Sequence, residues 1–363
     1  MFNNNAFKYM GLKFFYFLGL IVLFSCTDID DHPEPKVFDK ESDEVIVTKR
    51  ITPIDNRHKA FTDLIYFNDK WFLTYRESDK HIFGENGIVR IISSENADDW
   101  KLVKVFKSDG FDLRDPKFSL NNNNNLMLYT HGSKYITQDM SIPSEFQDFK
   151  LDYDSKLGWE SLKNVYVNNA GSSEAKIKGN QTYPWRITWY KNKAYSFGYN
   201  FQQNIFSFYQ STDGVNFNNQ GFFPPIESYP SEATIRVNDN GVFYALVRRE
   251  YSSALLGTSK DFGLSWKWIN TIPINQFGGP NFIFYKDGIL LSGRENHKLI
   301  LGYYDLILKK YKKIMTLESG GDCSYPGMYI KKGFLWISYY SEHEQKRGSS
   351  IYLSRINLSK LEL

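Results

Sequence analysis

A hairpin pattern that recurs along the chain is the feature that most restricts its fold. From about residue 45, short runs rich in Val, Ile, Phe, Tyr and Trp alternate with clusters of Asn, Asp, Gly and Lys, with no sustained helical period. Polar turns separate an apolar strand from an aromatic one at residues 68–70, 121–125, 191–193, 238–241, 286–288 and 331–333. The last four turns are about 45 to 48 residues apart, the repeat length of four-stranded propeller blades. The sequence therefore predicts an all-β, six-bladed β-propeller.

A second motif repeats in phase with these hairpins. Residues 259–266 read Ser-Lys-Asp-Phe-Gly-Leu-Ser-Trp, residues 211–217 are a shortened copy, and residues 94–100 are a degenerate one. In such a turn the Asp and Ser side chains bond backbone groups, Gly supplies a positive φ, and the aromatic ring fills the blade. The motif resembles the Asp-box of sialidase-like propellers, which implies a sialidase-like fold and a structural role for the motif itself. We expect the ring to close by pairing of a strand at residues 44–49 with the blade that contains residues 350–356.

The first 44 residues have the composition of an export signal and a tether. Lys8 and Lys13 precede an apolar run over residues 14–24, which is too short to span a bilayer as a permanent helix. The run ends in Leu-Phe-Ser-Cys, which looks like a bacterial lipobox, so we expect a signal peptide over residues 1–25 and lipidation at Cys26. Residues 27–40 are rich in Asp, Pro, Glu and Lys, and their acidic start resembles the surface-export segment of Bacteroidetes lipoproteins. We therefore expect a flexible acidic tether over residues 26–44, a propeller catalytic domain over residues 45–363, and a surface-exposed lipoprotein of the outer membrane.

Charge and cysteine content exclude several other classes of protein. The formal net charge is only +3 and basic and acidic residues are interleaved, so the chain has no polyelectrolyte face for nucleic acid. With Cys26 lipidated, Cys323 is left without a disulfide partner. The six histidines are scattered and no Cys/His cluster has metal-ligand spacing. We expect no metal, no cofactor and a monomeric protein.

The candidate site residues follow from the sialidase resemblance. Sialidases hold the substrate carboxylate with three arginines from separate blades and use a tyrosine nucleophile partnered by a glutamate. The order along this chain is similar: Arg57 resembles the first arginine, Glu232 the glutamate, Arg248 the second arginine, Arg294 the third and Tyr325 the tyrosine. Arginine suits this task because its planar fork pairs with both oxygens of a carboxylate. The resemblance therefore implies an acidic carbohydrate as the ligand, bound at one mouth of the propeller.

Several of these assignments have an alternative. Strand alternation favours Arg248 over its neighbour Arg249, whereas Arg76 could supply the charge assigned to Arg57. Arg294 could instead form a salt bridge with Glu295, and Tyr325 is one of 25 tyrosines, most of which are expected to pack blades.

Two further arginines are candidates for substrate binding. Arg114 either contacts substrate or forms a buried pair in the run Arg114-Asp115-Pro116. Arg186 is either a subsite residue or a cation–π brace between two tryptophans.

The acid/base is the position at which the chain departs from the family. In sialidases it is an aspartate on the loop after the first hairpin, and the corresponding loop here, residues 77–84, offers His81 as well as Asp79. Histidine is the better proton carrier near neutral pH. Asp63 is a further candidate for this role or for substrate binding, and three other residues lie near predicted loop ends at the same mouth: His58, Glu342 and His343.

Three functions fit these residues. His81 and Tyr325 around an arginine-bound carboxylate would serve elimination from a uronate-containing glycan such as ulvan, by a lyase or dehydratase that forms a 4,5-unsaturated uronate, and this is the favoured prediction. The alternative is an exo-glycosidase of sialidase type with Tyr325 as nucleophile and Glu232 as its base. The third is a glycan-binding lipoprotein without catalysis that uses the same arginines.

Overall fold

The computed structural model describes residues 38, 44–135, 143–168, 178–201, 204–221, 226–269 and 272–363. The predicted signal peptide, the lipidation site Cys26 and the tether apart from Phe38 and Glu44 lie outside these residues. Within the part of the chain that the structure describes, no helix has the length and apolar character needed to cross a bilayer.

Almost all of the regular structure in the described residues is β-strand, as the hairpin pattern predicts. In chain order the strands are β1 (Ile46–Arg50), β2 (His58–Phe67), β3 (Lys70–Ser78), β4 (Ile88–Ser94), β5 (Lys101–Phe106), β6 (Asp112–Leu120), β7 (Leu126–Lys134), β8 (Glu145–Asp154), β9 (Gly158–Trp159), β10 (Lys163–Asn168), β11 (Lys178–Gly179), β12 (Tyr183–Pro184), β13 (Thr188–Tyr190), β14 (Lys193–Asn200), β15 (Ile205–Ser211), β16 (Asn216–Asn219), β17 (Pro230–Val237), β18 (Phe243–Arg249), β19 (Leu255–Ser259), β20 (Lys267–Ile269), β21 (Gly278–Tyr285), β22 (Gly288–Glu295), β23 (Lys298–Asp305), β24 (Lys310–Thr316), β25 (Cys323–Lys331), β26 (Phe334–Ser341) and β27 (Ser350–Asn357). A short 3-10 helix, Leu358–Lys360, follows β27.

The strands form antiparallel sheets of the kind found in propeller blades. The described residues give four separate four-stranded sheets, with strand orders β2-β3-β4-β5, β17-β18-β19-β20, β21-β22-β23-β24 and β1-β27-β26-β25. The remaining strands belong to one eleven-stranded sheet, in which the outer strands β10 and β16 pair in parallel. The prediction of six separate blades is therefore wrong: four are separate. Pairing between outer edges is a long-range contact, so the spacing of hairpin turns carries no information about it.

Each of the six predicted turns joins two paired antiparallel strands. The hairpins are β2–β3, β6–β7, β13–β14, β17–β18, β21–β22 and β25–β26. Residues at the turn tips adopt positive φ, for example Asn68 and Asp69, which is the conformation that tight hairpin turns require. Apolar and aromatic side chains of neighbouring sheets pack into buried clusters, of which one contains Leu73, Trp336 and Leu353.

The first and last strands share one sheet. β1 pairs with β27, with Ile46 opposite Ile356, which confirms the predicted closure between the two ends of the domain. Phe38, within the predicted tether, is buried: its ring meets Trp336 edge-on at 4.9 Å and its carbonyl oxygen accepts a hydrogen bond from Arg355. Phe38, which lies before the predicted start of the propeller domain, therefore packs against that domain.

The Asp-box segments are structural turns. Ser259 Oγ donates to Asp261 Oδ1 at 2.7 Å and accepts the amide of Gly263 at 2.8 Å. Trp266 Nε1 closes the turn by donating to the Gly263 carbonyl oxygen at 3.0 Å. Gly263 has φ +89°, and the ring of Phe208 lies where a Cβ would stand. This confirms the structural role predicted for the motif.

Candidate active site

A bulge at the start of the inner strand recurs from sheet to sheet and positions the candidate residues. In each of the inner strands β2, β6, β17, β21 and β25 one extra residue is inserted, so that two residues lie opposite one of the neighbouring strand. At these bulges Phe61, Asp115, Gly279 and Tyr325 adopt φ values of 59°, 49°, 60° and 54°. Proline follows the last three of them, and it is tolerated there because a bulged residue need not donate to the ladder. The bulges turn side chains out of the alternating pattern and toward one another.

Tyr325 and Glu232 form a buried hydrogen-bonded pair. The Tyr325 hydroxyl donates to Glu232 Oε1 at 2.5 Å, although the two residues are 93 positions apart. Glu232 Oε2 accepts the amide of Gly279 at 2.6 Å, and Arg248 Nη1 donates to Oε1 at 3.0 Å. Burial raises the pKa of Glu232, but Arg248 and these hydrogen bonds outweigh it and the pKa is lowered overall. Burial and then Glu232 raise the pKa of Tyr325 well above its ordinary value. The pair is thus a protonated phenol bonded to a carboxylate.

Arg248 and Arg294 line one cleft of about 470 Å³, together with Glu250 and Asp322. Arg248 Nη2 donates to Glu250 Oε2 at 2.9 Å. Arg294 Nη1 donates to Asp322 Oδ1 at 3.3 Å and to the Cys323 carbonyl oxygen at 3.1 Å. The structure therefore brings two of the predicted arginines to one place, next to the Tyr325–Glu232 pair, and each already bonds a carboxylate of the chain. Arg249, the alternative to Arg248, donates instead to the Ser253 carbonyl oxygen.

Asp322 is the centre of a network that the sequence did not reveal. Its Oδ2 lies 2.5 Å from His81 Nδ1 and 3.0 Å from His58 Nε2, and its Oδ1 accepts the hydroxyl of Tyr340 at 2.7 Å. The amide of Asp322 donates to Glu342 Oε2 at 2.9 Å. Burial raises the pKa of Asp322, but the two histidines and Tyr340 outweigh it and hold the pKa far below its usual range. Asp322 is therefore an ionised carboxylate that fixes the His81 ring.

His81 and Tyr325 share a wall of the site. The Phe61 ring meets the His81 ring edge-on at 5.1 Å and the Tyr325 ring at 4.9 Å. The Tyr340 ring, which bonds Asp322, lies 6.0 Å from the Tyr325 ring. Partial burial lowers the pKa of His81, and Asp322 opposes this shift. The His81 imidazole and the Tyr325 phenol thus stand on two sides of one aromatic ring.

The other predicted arginines lie elsewhere among the described residues. Arg57 is partly exposed and pairs with Glu85 at 2.9 Å, so it does not join Arg248 and Arg294 in the cleft. Its alternative, Arg76, is buried and donates twice to Asp112. The first arginine of the expected triad is therefore not at the cleft, and His58 is the polar residue of β2 that bonds Asp322.

Arg114 and Arg186 form internal ion pairs. Arg114 donates to Asp112 Oδ2 and to the His81 carbonyl oxygen, and its guanidinium lies 4.9 Å from the centre of the Phe61 ring, so it supports the loop that carries His81. Arg186 donates to both oxygens of Asp63, at 2.8 and 3.2 Å, and the pair lines a different cavity of about 260 Å³. Their predicted contact with substrate stays a prediction.

Two of the remaining candidates support loops. Asp79 Oδ1 accepts the amide of Glu85 at 2.7 Å and the hydroxyl of Ser78 at 3.2 Å, which closes the loop around His81. His343 Nδ1 lies 2.8 Å from Ser341 Oγ. Of the two acid/base candidates on the 77–84 loop, His81 is the one bonded to a carboxylate of the site.

One group of the described residues has the composition of a metal site. The ligand atoms of His58, His81 and Asp322 lie within 4.8 Å of one another. However, Asp322 Oδ2 already stands at hydrogen-bond distance from both rings, and its other oxygen bonds the Arg294 guanidinium. A cation would have to share one carboxylate with a guanidinium, so the contacts fit a hydrogen-bonded network better.

Sequence reasoning missed Asp322, Tyr340 and Glu250. Asp322 is in the run Gly-Gly-Asp-Cys-Ser-Tyr-Pro-Gly, in which Tyr325 matches the sialidase order and Asp322 does not, and Tyr340 has the pattern of an ordinary strand aromatic. The sequence does contain one signal for the bulges, which is the proline that follows the bulged residue at Asp115-Pro116, Gly279-Pro280 and Tyr325-Pro326. These pairs lie near the starts of the inner strands β6, β21 and β25.

Comparison with known proteins shows the fold. No family model matches the sequence, and no curated protein matches it. A Dyadobacter fermentans protein of unknown function has a TM-score of 0.71 at 16% identity, over 86% of this chain and 99% of that chain. Trypanosoma rangeli sialidase, in complex with the inhibitor DANA, has a TM-score of 0.66 at 10% identity, over 82% of this chain. The intramolecular trans-sialidase of Ruminococcus gnavus, in complex with oseltamivir carboxylate, has a TM-score of 0.61 at 11% identity, over 84% of this chain and 96% of that chain.

These likenesses concern architecture. This chain spans 55% of the length of the Trypanosoma rangeli sialidase chain. At such identities the likeness shows a sialidase-like, propeller-type arrangement, and this confirms the predicted all-β, sialidase-like fold. The chemistry of the site depends on the residues of this chain and not on the shared architecture.

Proposed function

We propose that this chain is a glycoside hydrolase in which Tyr325 is the nucleophile, Glu232 its base and His81 the acid/base. The observation that carries the proposal is the 2.5 Å bond from the Tyr325 hydroxyl to the Glu232 carboxylate, with Arg248 on the same carboxylate oxygen. A phenol whose pKa is raised is a weak nucleophile, and an adjacent ionised carboxylate is the group that can take its proton.

The reaction proceeds in two steps. Tyr325 Oη attacks the anomeric carbon while Glu232 accepts the phenolic proton. His81 gives a proton to the departing glycosidic oxygen from its protonated form, which burial disfavours and Asp322 favours by their opposite effects on the pKa of His81. The product of this step is a glycosyl–tyrosine. Water then attacks the anomeric carbon, His81 takes the proton of the water, and Glu232 returns a proton to Tyr325. Asp322 holds the imidazole ring and stabilises its charged form through the 2.5 Å contact, so it is a positioning residue.

Fluorogenic glycosides and a mechanism-based trap test the proposal. A panel of methylumbelliferyl glycosides is expected to give turnover with the wild type and none with Tyr325→Phe. A 2-deoxy-2-fluoro glycosyl fluoride of the active sugar should accumulate a covalent adduct on a peptide that contains Tyr325. Tyr352→Phe is the matched control, because it removes a tyrosine–glutamate hydrogen bond of 2.9 Å to Glu344. Turnover retained by Tyr325→Phe, or none in the wild type, contradicts the proposal.

Elimination from a uronate is the second candidate, and the His81–Asp322 contact favours it. In that reaction His81 would remove the C5 proton and Tyr325 would protonate the leaving oxygen at C4. The sialidase-like fold gives this reaction no particular support. The two reactions differ in product: elimination leaves a conjugated double bond that absorbs ultraviolet light, and hydrolysis adds water. Saturable binding without either product would indicate a glycan-binding lipoprotein without catalysis.

We also propose that the domain is tethered to the outer membrane, facing outward, through a lipid on Cys26. The support is the lipobox-like run and the acidic segment that follows it, both in the sequence. Labelled palmitate should be incorporated into the wild type and not into Cys26→Ser. Protease treatment of whole cells should degrade the wild-type protein if the tether faces outward.

A further inference from the structure

The cleft beside Tyr325 balances its charges internally. Its charged lining consists of two arginines, Arg248 and Arg294, and two carboxylates, Glu250 and Asp322. The neutral polar part of the lining includes the amide side chains of Asn275, Gln276 and Asn296. These two positive and two negative groups cancel one another, and the lining also contains the imidazole of His297.

The Arg248 fork is occupied by a carboxylate of the chain. Its Nη2 donates to Glu250 Oε2 at 2.9 Å, and its Nε lies 2.8 Å from Oε1 as an ion pair without a well-aligned hydrogen bond. Its Nη1 donates to Glu232. A carboxylate of a ligand that approached Arg248 would meet two carboxylates already in place.

Arg294 contacts a carboxylate of the chain through one of its nitrogens, Nη1. Its Nη1 bonds Asp322 Oδ1, and this carboxylate also accepts Tyr340 and contacts both His58 and His81. Asp322 is thus a carboxylate supplied by the chain at the place where Arg294 would hold one from a substrate. Asp322 itself is strongly held ionised by these contacts, so it does not become a neutral group near pH 7.

We propose that the sugar bound in this cleft is uncharged, and that its hydroxyl groups pair with the amides of Asn275, Gln276 and Asn296 and with the outer edges of the two ion pairs. This inference rests on the proposed hydrolysis at Tyr325 and deepens it by naming the substrate class. It differs from the acidic ligand that the sequence predicted, because both guanidinium groups already contact carboxylates of the chain.

Matched sugar pairs test the inference by binding. Calorimetric titration of the full chain with glucose and glucuronate, galactose and galacturonate, and mannose and mannuronate methyl glycosides should show at least tenfold preference for the neutral member of the pair that binds best. The same preference should persist in Tyr325→Phe, because that variant removes the nucleophile and leaves the cleft charges in place. Preference for a uronate, or no binding of any member, overturns the inference.

A second variant tests the role assigned to Asp322. Asp322→Ala should free Arg294, and the variant should then bind the uronate at least tenfold more tightly than the wild type does; Asp322→Asn keeps the shape of the side chain and should show the same direction of change. Glu344→Ala is the control, since it removes a carboxylate paired with Arg50 at a partly exposed position. Unchanged uronate affinity in both folded Asp322 variants overturns the inference.

The two proposals fail separately. Neutral-sugar binding without any hydrolysis would contradict the proposed reaction and keep the inference about charge. Hydrolysis of a uronide or sialoside in preference to its neutral counterpart would keep the reaction and overturn the inference.

Discussion

Glu232→Gln and Tyr325→Phe, alone and together, test whether the two residues act as one unit. Loss of a general base costs about 10² to 10⁴ in rate, and a chain without its nucleophile should lose at least as much. If the 2.5 Å bond means that the carboxylate works only through the phenol, the double variant should be no slower than the slower single variant.

The magnitude follows from the rates. Two independent losses of about 10³ would multiply to about 10⁶, whereas a single unit would stop near 10³, and the difference corresponds to a coupling of about 4 kcal/mol. Stability should change less. In Tyr325→Phe the Glu232 carboxylate keeps the Gly279 amide and Arg248, so one charged hydrogen bond is lost, at about 1.5 to 3 kcal/mol.

The assay is kcat/KM on the best methylumbelliferyl glycoside, with thermal unfolding of each variant to confirm that it is folded. Tyr352→Phe should leave kcat/KM within about twofold, because its glutamate partner, Glu344, is outside the cleft. Multiplying losses in the double variant would refute the reasoning, since they would mean that Glu232 acts on the reaction by a route that bypasses Tyr325.

Three further predictions concern stability. Burial lowers the pKa of Lys117 to about 8, so the folded state holds fewer protons than the unfolded state between about pH 8 and pH 10.5. In denaturant titrations the free energy of unfolding of the wild type should therefore rise across that window by about 3 kcal/mol relative to Lys117→Met. Equal pH dependence in the two proteins would contradict this prediction. Gly263→Ala should lower the free energy of unfolding by about 2 to 4 kcal/mol, because Gly263 has φ +89° and the Phe208 ring lies 2.1 Å from the new Cβ. Gly333→Ala, at φ +80° with open space around it, should lower it by about 1 kcal/mol. Similar melting temperatures of the two variants would argue against the clash with Phe208. Arg186→Met should cost about 3 to 5 kcal/mol by leaving its buried aspartate partner unpaired, and a loss under about 1 kcal/mol in chemical unfolding would show that this pair is not a structural one.

Local patterns in the sequence predicted the hairpins and the fold class. Strand and turn signals are short-range, so all six turns and the Asp-box at residues 259–266 could be placed from residue order alone. The number of separate blades could not, because the pairing of Tyr166 with Asn216 joins outer edges that are 50 residues apart and follow no local rule.

Only the site residues that follow the order of the sialidase family along the chain could be predicted from the sequence. Glu232, Arg248, Arg294 and Tyr325 follow the sialidase order, and the structure brings them to one region. The partners of these residues were not predictable. Whether an arginine is free or already bonded to a carboxylate depends on loops that converge in space, as Asp322 does on Arg294, and spacing along the chain does not encode it.

The pairing of β1 with β27 has a consequence for how the domain reaches its final state. Thr48 Oγ1 and Ser354 Oγ lie 2.7 Å apart although 306 residues separate them, so the sheet they share stays incomplete until β27 has been made. A contact of such long sequence separation carries a high entropic cost of loop closure and forms slowly. Until the amino-terminal strand docks, β27 presents an open edge to other chains, so a newly made molecule is most exposed to aggregation at its last assembly step.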